Sequence, residues 1–193
     1  MRKASPLSFL PLMRRHISGP LESMMVDAIK EAAITFCRKS ELITLVRVVA
    51  SAAAGSLLDV CDQDGLKAAN IVRVINSDGD DLAPGVDYMA MSANEISIPA
   101  PLANFTVWYS AEPLPDAADL PAVLLDDYGE SVAFGALAIL FGQPGMPWSD
   151  GKRSAYYQAE FTEGCRRATR FRLDHSTPKQ TQFDNPVRKH TFF

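Results

Sequence analysis

Chemistry in this chain would have to come from its histidines, its clustered aspartates or its run of arginines. His16, His175 and His190 all fall in segments read here as arms. A nucleophile, its base and the group that orients the base need a rigid scaffold, so no catalytic histidine is expected. Asp62-Gln63-Asp64-Gly65 and Asp78-Gly79-Asp80-Asp81 are similar to pieces of a calcium loop, yet neither has the glutamate at the twelfth loop position that completes such a site. Two hairpin turns account for them, so no metal ligands are assigned. The glycines match neither the P-loop nor the dinucleotide fingerprint. Arg166, Arg167, Arg170 and Arg172 have the charge to meet phosphates. At the end of a helical pattern they equally offset the helix dipole or pair with an acidic neighbour.

The charge distribution favours the acidic neighbour. Between Glu41 and Glu130 there are fifteen acidic residues and three basic ones, Arg47, Lys67 and Arg73. Between Arg166 and Phe193 there are seven basic residues and two acidic ones. Such segregation predicts oriented contact with other charged surfaces. The acidic stretch repels a duplex, so sequence-specific DNA binding is not expected. The whole chain, at 193 residues with 47% hydrophobic and 22% charged residues, can bury a core as one domain with an insertion. No apolar run has the length of a membrane span. The N-terminal apolar stretch is interrupted by Pro6 and Pro11, so a signal peptide is not expected. Three widely spaced cysteines, Cys37, Cys61 and Cys165, read as thiols in a reducing compartment, with Cys37 and Cys165 buried in helices.

The elements that position these groups follow from apolar spacing. Residues 1–19 read as an irregular N-terminal arm. Gly19-Pro20-Leu21-Glu22 opens a helix to about Lys39, its apolar face carrying Met25, Ala28, Ile29, Ala32, Phe36 and Cys37. Strands are predicted at 42–49, 56–60, 69–75, 86–91, 95–98 and 104–110, with turns at 76–81 and 82–85, giving a small antiparallel sheet or sandwich inserted over 42–112. A second helix, capped by Asp119, runs to Phe141 with Gly129 and Gly135 in its interior. Each costs about 1 kcal/mol relative to Ala, which is rational where another backbone passes close by. The turn 142–147 stops that helix. Ser149 caps a third, whose buried side is drawn from Tyr156 or Tyr157, Phe161, Cys165, Ala168 and Phe171. The fold class is therefore α+β: three main helices, including a C-terminal hairpin, with a β insertion and extended terminal arms. Helical core segments are 20–40 and 119–173. Residues 174–193, with two prolines, no amphipathic period and an aromatic end, read as an extended tail.

Two stretches carry a family resemblance. The helical hairpin reads GALAILFGQPGMPWSD followed by SAYYQAEFTEGCRRA, and the β part includes Asp87-Tyr88, Ile96-Ser97-Ile98 and Val107-Trp108-Tyr109 leading into Glu112-Pro113. With the leading AAITFCRKS helix, this order resembles the head-to-tail adaptor (connector, or gatekeeper) proteins of tailed bacteriophages, over most of residues 11–172. The resemblance implies a structural virion protein made in the host bacterial cytoplasm and placed at the neck. There it forms a ring, commonly of twelve copies, beneath the portal. Such a ring extends the DNA channel without sequence-specific binding and docks a tail or nozzle protein, with no enzymatic activity, cofactor or membrane. On that reading Phe183, Arg188, Lys189, Phe192 and Phe193 are portal contacts, and Gly135, Trp148, Arg166, Arg167 and Arg170 lie between subunits. A tail-completion or tail-terminator ring, and an enzyme binding a small molecule or metal, are the rival readings.

Overall fold

The computed structural model describes residues 1–175. The chain is a mixed α+β fold with three small antiparallel sheets. Its elements are β1 (Lys3–Ala4), a 3-10 turn (Pro6–Phe9), α1 (Leu10–Met13), α2 (Glu22–Ser40), β2 (Thr44–Ala52), β3 (Ser56–Asp59), β4 (Leu66–Ile75), β5 (Met89–Ala90), β6 (Glu95–Ile98), β7 (Leu102–Pro113), β8 (Leu120–Pro121), α3 (Val123–Asp126), α4 (Gly129–Phe141) and α5 (Gly151–His175).

Helices α2, α4 and α5 pack on one another around Ile29, Phe36, Val132, Leu137, Leu140 and Phe161, all buried. The apolar face predicted for α2 is the one it buries, because residues three and four apart share a side of the helix. The helix starts at Glu22, two residues beyond Pro20, since Leu21 is still extended. Glu41 ends it in the left-handed region at φ 50°, its N–H bonded to the Cys37 carbonyl at 2.8 Å.

The β insertion is two sheets, ordered β2-β7-β4 and β3-β6-β5, where one small sheet or sandwich was expected. β7 is the spine. It pairs along its length with β2 (Thr44↔Ser110 to Ala52↔Leu102) and with β4 (Leu66↔Pro113 to Ile75↔Thr106). Phe105, Val107 and Tyr109 alternate inward from β7, and Ile96 and Ile98 from β6, joining the same continuous core as the helices. Asn76 organises the turn after β4: its Oδ1 accepts from the N–H of Asp78 and of Asp80, both at 2.9 Å. The Asp62–Gly65 segment is no hairpin; it crosses from β3 in one sheet to β4 in the other.

Three expectations are corrected. The N-terminal 1–19 segment is no extended arm: Phe9, Leu10, Met13 and Ile17 are buried in the core, and β1 pairs with β8. That pairing also divides the predicted 119–141 helix. Leu120–Pro121 is held extended against Lys3–Ala4, the Ala122 N–H donates to the Arg2 carbonyl at 3.0 Å, and the chain breaks again at Tyr128. Gly129 is thus the first residue of α4, not an interior one. At the other end α5 continues through Asp174 and His175, which the sequence assigns to the tail.

Asp150, one residue past the predicted cap Ser149, caps α5 by accepting from the N–H of Lys152 at 3.0 Å and Arg153 at 3.1 Å. Asp150→Ala is expected to cost about 1 kcal/mol, measured by urea titration of the full chain.

Candidate functional site

A joint and two surfaces stand out. The joint ties the β insertion to the helices at Glu112, near the end of β7. Its carboxylate is 2% exposed and accepts two bonds from the Arg38 guanidinium, at 2.8 and 2.6 Å; the Lys67 ammonium lies at 3.3 Å. Arg38 comes from the last turn of α2 and Lys67 from β4. The carboxylate beside Arg38 raises the guanidinium further above its already high range. A second tie lies at Glu41, whose carboxylate meets Arg172 of α5 at 3.1 Å and accepts from Asn70 of β4 at 2.8 Å. Helix, helix and sheet are thus locked together at the base of the insertion.

The glycines do bring elements together, but within one chain. A Cβ on Gly135 would stand 2.6 Å from the Phe161 ring and 3.0 Å from Ala32. A Cβ on Gly164 would run into the Ser131 hydroxyl. Gly135, expected between subunits, is therefore the crossing point of α4 with α5 and α2, buried inside the protomer. Trp148 likewise folds back on its own chain, its ring standing 3.1 Å from where a Cβ on Gly19 would be, and Gly19 has a φ of +113°, which favours glycine.

The first surface is the outer side of α5. Arg166, Arg167 and Arg170 are exposed; Arg166 meets Glu163 at 3.4 Å, and Arg167 donates to Ser131 at 3.4 Å. Beside them Phe171 and Leu173 are 51% and 55% exposed. Phe171 was expected on the buried side and is not; its ring stacks on His175 instead.

The second surface is the β insertion. All three of its basic residues are engaged internally: Arg73 with Asp81 at 2.9 Å, Lys67 with Glu112, and Arg47 with the Asp59 carbonyl. Asp59, Asp62, Asp64, Asp78, Asp80 and Asp87 are exposed. One face of the β2-β7-β4 sheet carries exposed valines among Thr44, Thr106 and Arg73. Val46 and Val48 are 44% and 76% exposed, and Val46 pairs across with Trp108, whose indole Nε1 is buried without a hydrogen-bond partner.

Among the described residues no group of three or more His, Cys, Asp or Glu is placed to hold a metal, and no helix is long and apolar enough to cross a membrane. His16 lies edge-on to Phe134 and Tyr157, in an aromatic contact. The Phe183, Arg188, Lys189, Phe192 and Phe193 assignment and His190 lie outside the described residues. Cys37 and Cys165 are buried, and burial pushes both thiols up, Cys165 to about 11. Iodoacetamide is therefore expected to label Cys61 of the native chain first, read by peptide mass spectrometry. These neutral thiols also set a pH trend. From about 9, the ordinary value, toward about 11 the unfolded chain releases protons that the native Cys165 keeps, so stability falls with rising pH across that window.

Sequence reasoning missed the Glu112 joint and the open valine face. A glutamate at the end of an apolar strand was the available signal for the first, and the alternation of Val46, Val48 and Ala50 for the second. Compared with models of known protein families and with characterised proteins, the chain matches none.

Proposed function

We propose that this protein is a structural head-to-tail adaptor of a tailed bacteriophage, assembling as a ring of identical copies beneath the portal. The ring extends the DNA channel and docks a tail or nozzle protein below. The observation that carries the reading is the polarity of the protomer. An acidic insertion with a sheet face of exposed valines is rigidly jointed, through Glu112 and Glu41, to a helical body whose last helix exposes arginines beside Phe171 and Leu173. Two unlike surfaces on one rigid chain favour head-to-tail self-association, which forms a ring where the rotation between copies closes. The resemblance of the hairpin and β motifs to adaptor proteins supplies the place in the virion.

The segment after His175 is the portal-docking element in this account, with its aromatic and basic residues as anchors. Deleting 176–193 is expected to abolish the capture that the full-length chain shows with the portal protein from the same genome in a pull-down. Undiminished capture would remove the tail from the docking role.

A further inference from the structure

We infer that the basic corner where the end of α1 meets the start of α5 docks on the outer face of the β3-β6-β5 sheet of a second copy; this deepens the ring-forming reading and rests on it. The corner joins two short segments far apart in the chain. Arg15 and His16 follow α1, and Lys152, Arg153 and Tyr156 stand in the first two turns of α5. They line one open groove, and among the described residues no carboxylate lines it. Arg153 pairs with Asp150 at 3.6 Å, Arg14 beside the groove pairs with Glu22 at 2.8 Å, and Glu160 bounds the patch one turn along α5 from Tyr156. Arg15 and Lys152 are left as surplus positive charge. Lys152 and Arg153 also stand at the positive end of the α5 dipole, where cations are disfavoured. An anionic surface held against them offsets that penalty.

The matching surface is on the β insertion. Cross-strand register sets Leu57, Ser97 and Met89 in one row of the β3-β6-β5 sheet and Asp59 and Glu95 in the next. Ile96 and Ile98 alternate with these residues along β6 and are fully buried, so the two rows point away from the core. Leu57 is 61% and Met89 48% exposed, an apolar row edged by carboxylates. Arg47 reaches toward this sheet, but to the Asp59 carbonyl and not its carboxylate. Asn94 fixes the turn before β6 by accepting from the N–H of Cys61 at 3.2 Å and of Ala68 at 2.9 Å, so the face is presented on a held backbone. Asp59 and Glu95 thus answer Arg15 and Lys152, while Leu57 and Met89 answer the exposed ring of Tyr156.

The two surfaces are held apart within one chain. α2 starts at Glu22, which holds Arg14 beside the corner, and its last turn holds Glu112 through Arg38 at the base of the insertion. Its nineteen residues, at about 1.5 Å each, put roughly 28 Å between those points. The β3-β6-β5 sheet lies on the insertion side, since the Ala68 bound by Asn94 pairs with Ala111, next to Glu112. The contact is therefore between copies. It is heterologous, because the two patches differ and each copy offers both.

The test places a benzophenone amino acid at Leu57 in the full chain and irradiates it at high protein concentration and low salt. The expected product is a covalent dimer on a denaturing gel, joined at residues 14–16 or 152–156 of the second copy and fading as salt is raised. It is expected to be lost in Arg15→Glu/Lys152→Glu and recovered when Asp59→Lys/Glu95→Lys is added to that chain. None of the four side chains lies in the core, and circular dichroism checks that each variant folds. No dimer, a dimer joined elsewhere, or no recovery on the charge swap would overturn the proposal. A benzophenone at Tyr156 that joins a duplex DNA oligonucleotide, with no dimer formed, would also overturn it and give the corner to a phosphate backbone. Rings on the portal are scored separately on the same chains. Rings without this cross-link would overturn the contact and leave the adaptor reading standing; the cross-link with bare portals would keep the contact and remove that reading.

Discussion

Gly135→Leu is expected to leave the chain unfolded or insoluble, and Gly135→Ala to lower its thermal midpoint. The residue sits mid-helix in α4, where glycine costs about 1 kcal/mol relative to Ala, so propensity alone favours substitution. Sterics oppose it: the new Cβ would stand 2.6 Å from Phe161, itself 2% exposed, and 3.0 Å from Ala32, itself 1% exposed. Neither neighbour is a flexible chain end, and Phe161 is hemmed in by Phe36, with ring centroids 6.0 Å apart. Overpacking of this kind costs about 1–3 kcal/mol for one carbon, so alanine is a net loss of up to about 2 kcal/mol. At about 2–4 °C per kcal/mol that is a fall of up to roughly 8 °C in a melt followed by circular dichroism. Leucine adds three more carbons to a site with no space. Gly151→Ala is the control, because a Cβ there meets nothing within 4 Å. It is expected to be neutral or slightly stabilising.

The Glu112 joint predicts an asymmetry. Taking away both cations, in Arg38→Ala/Lys67→Ala, strands a carboxylate that is 2% exposed. Breaking a buried pair in that sense costs about 3–5 kcal/mol. Taking away the anion instead, in Glu112→Leu, leaves Arg38 61% and Lys67 37% exposed, and both can turn to water. The expected cost is then smaller, about 1–2 kcal/mol, much of it lost packing. Denaturant titration of the two variants tests the order. If Glu112→Leu were the more damaging, the carboxylate would not be the desolvated member of the joint. The double-cation variant should also loosen the insertion from the helices, seen as faster amide exchange in β7 at Ser110, Ala111 and Glu112.

Much of this architecture was legible in the residues because it is written as periodicity. The buried face of α2 and the strands read at 56–60, 69–75 and 95–98, found at Ser56–Asp59, Leu66–Ile75 and Glu95–Ile98, follow from spacing three-four and spacing two. What spacing does not carry is pairing over long separations. Phe9, Leu10, Met13 and Ile17 are apolar but too few between Pro6, Pro11 and Gly19 to show a period, and their place in the core is set by packing on α2 and on α4, the latter more than a hundred residues away. The same limit governed the site. Gly135 was readable as a close approach, but only the packing decides that its partner is Phe161 of its own chain. Arg38 and Glu112 are 74 positions apart, and nothing in either segment names the other. The arginines of α5 were legible as a surface group, and three of them, Arg166, Arg167 and Arg170, are exposed; Arg172 is instead spent on Glu41. Solvent-side charge is set by helix phase, whereas the ion pair is set by the fold.

The central claim is that copies of this chain form a ring on a portal. Electron microscopy of the full-length chain mixed with the portal protein from the same genome tests it most directly. The account predicts a new ring of density, coaxial with the portal and in register with its subunits, absent when residues 176–193 are deleted. Portals that remain bare, with the chain monomeric beside them at saturating concentration, would contradict it.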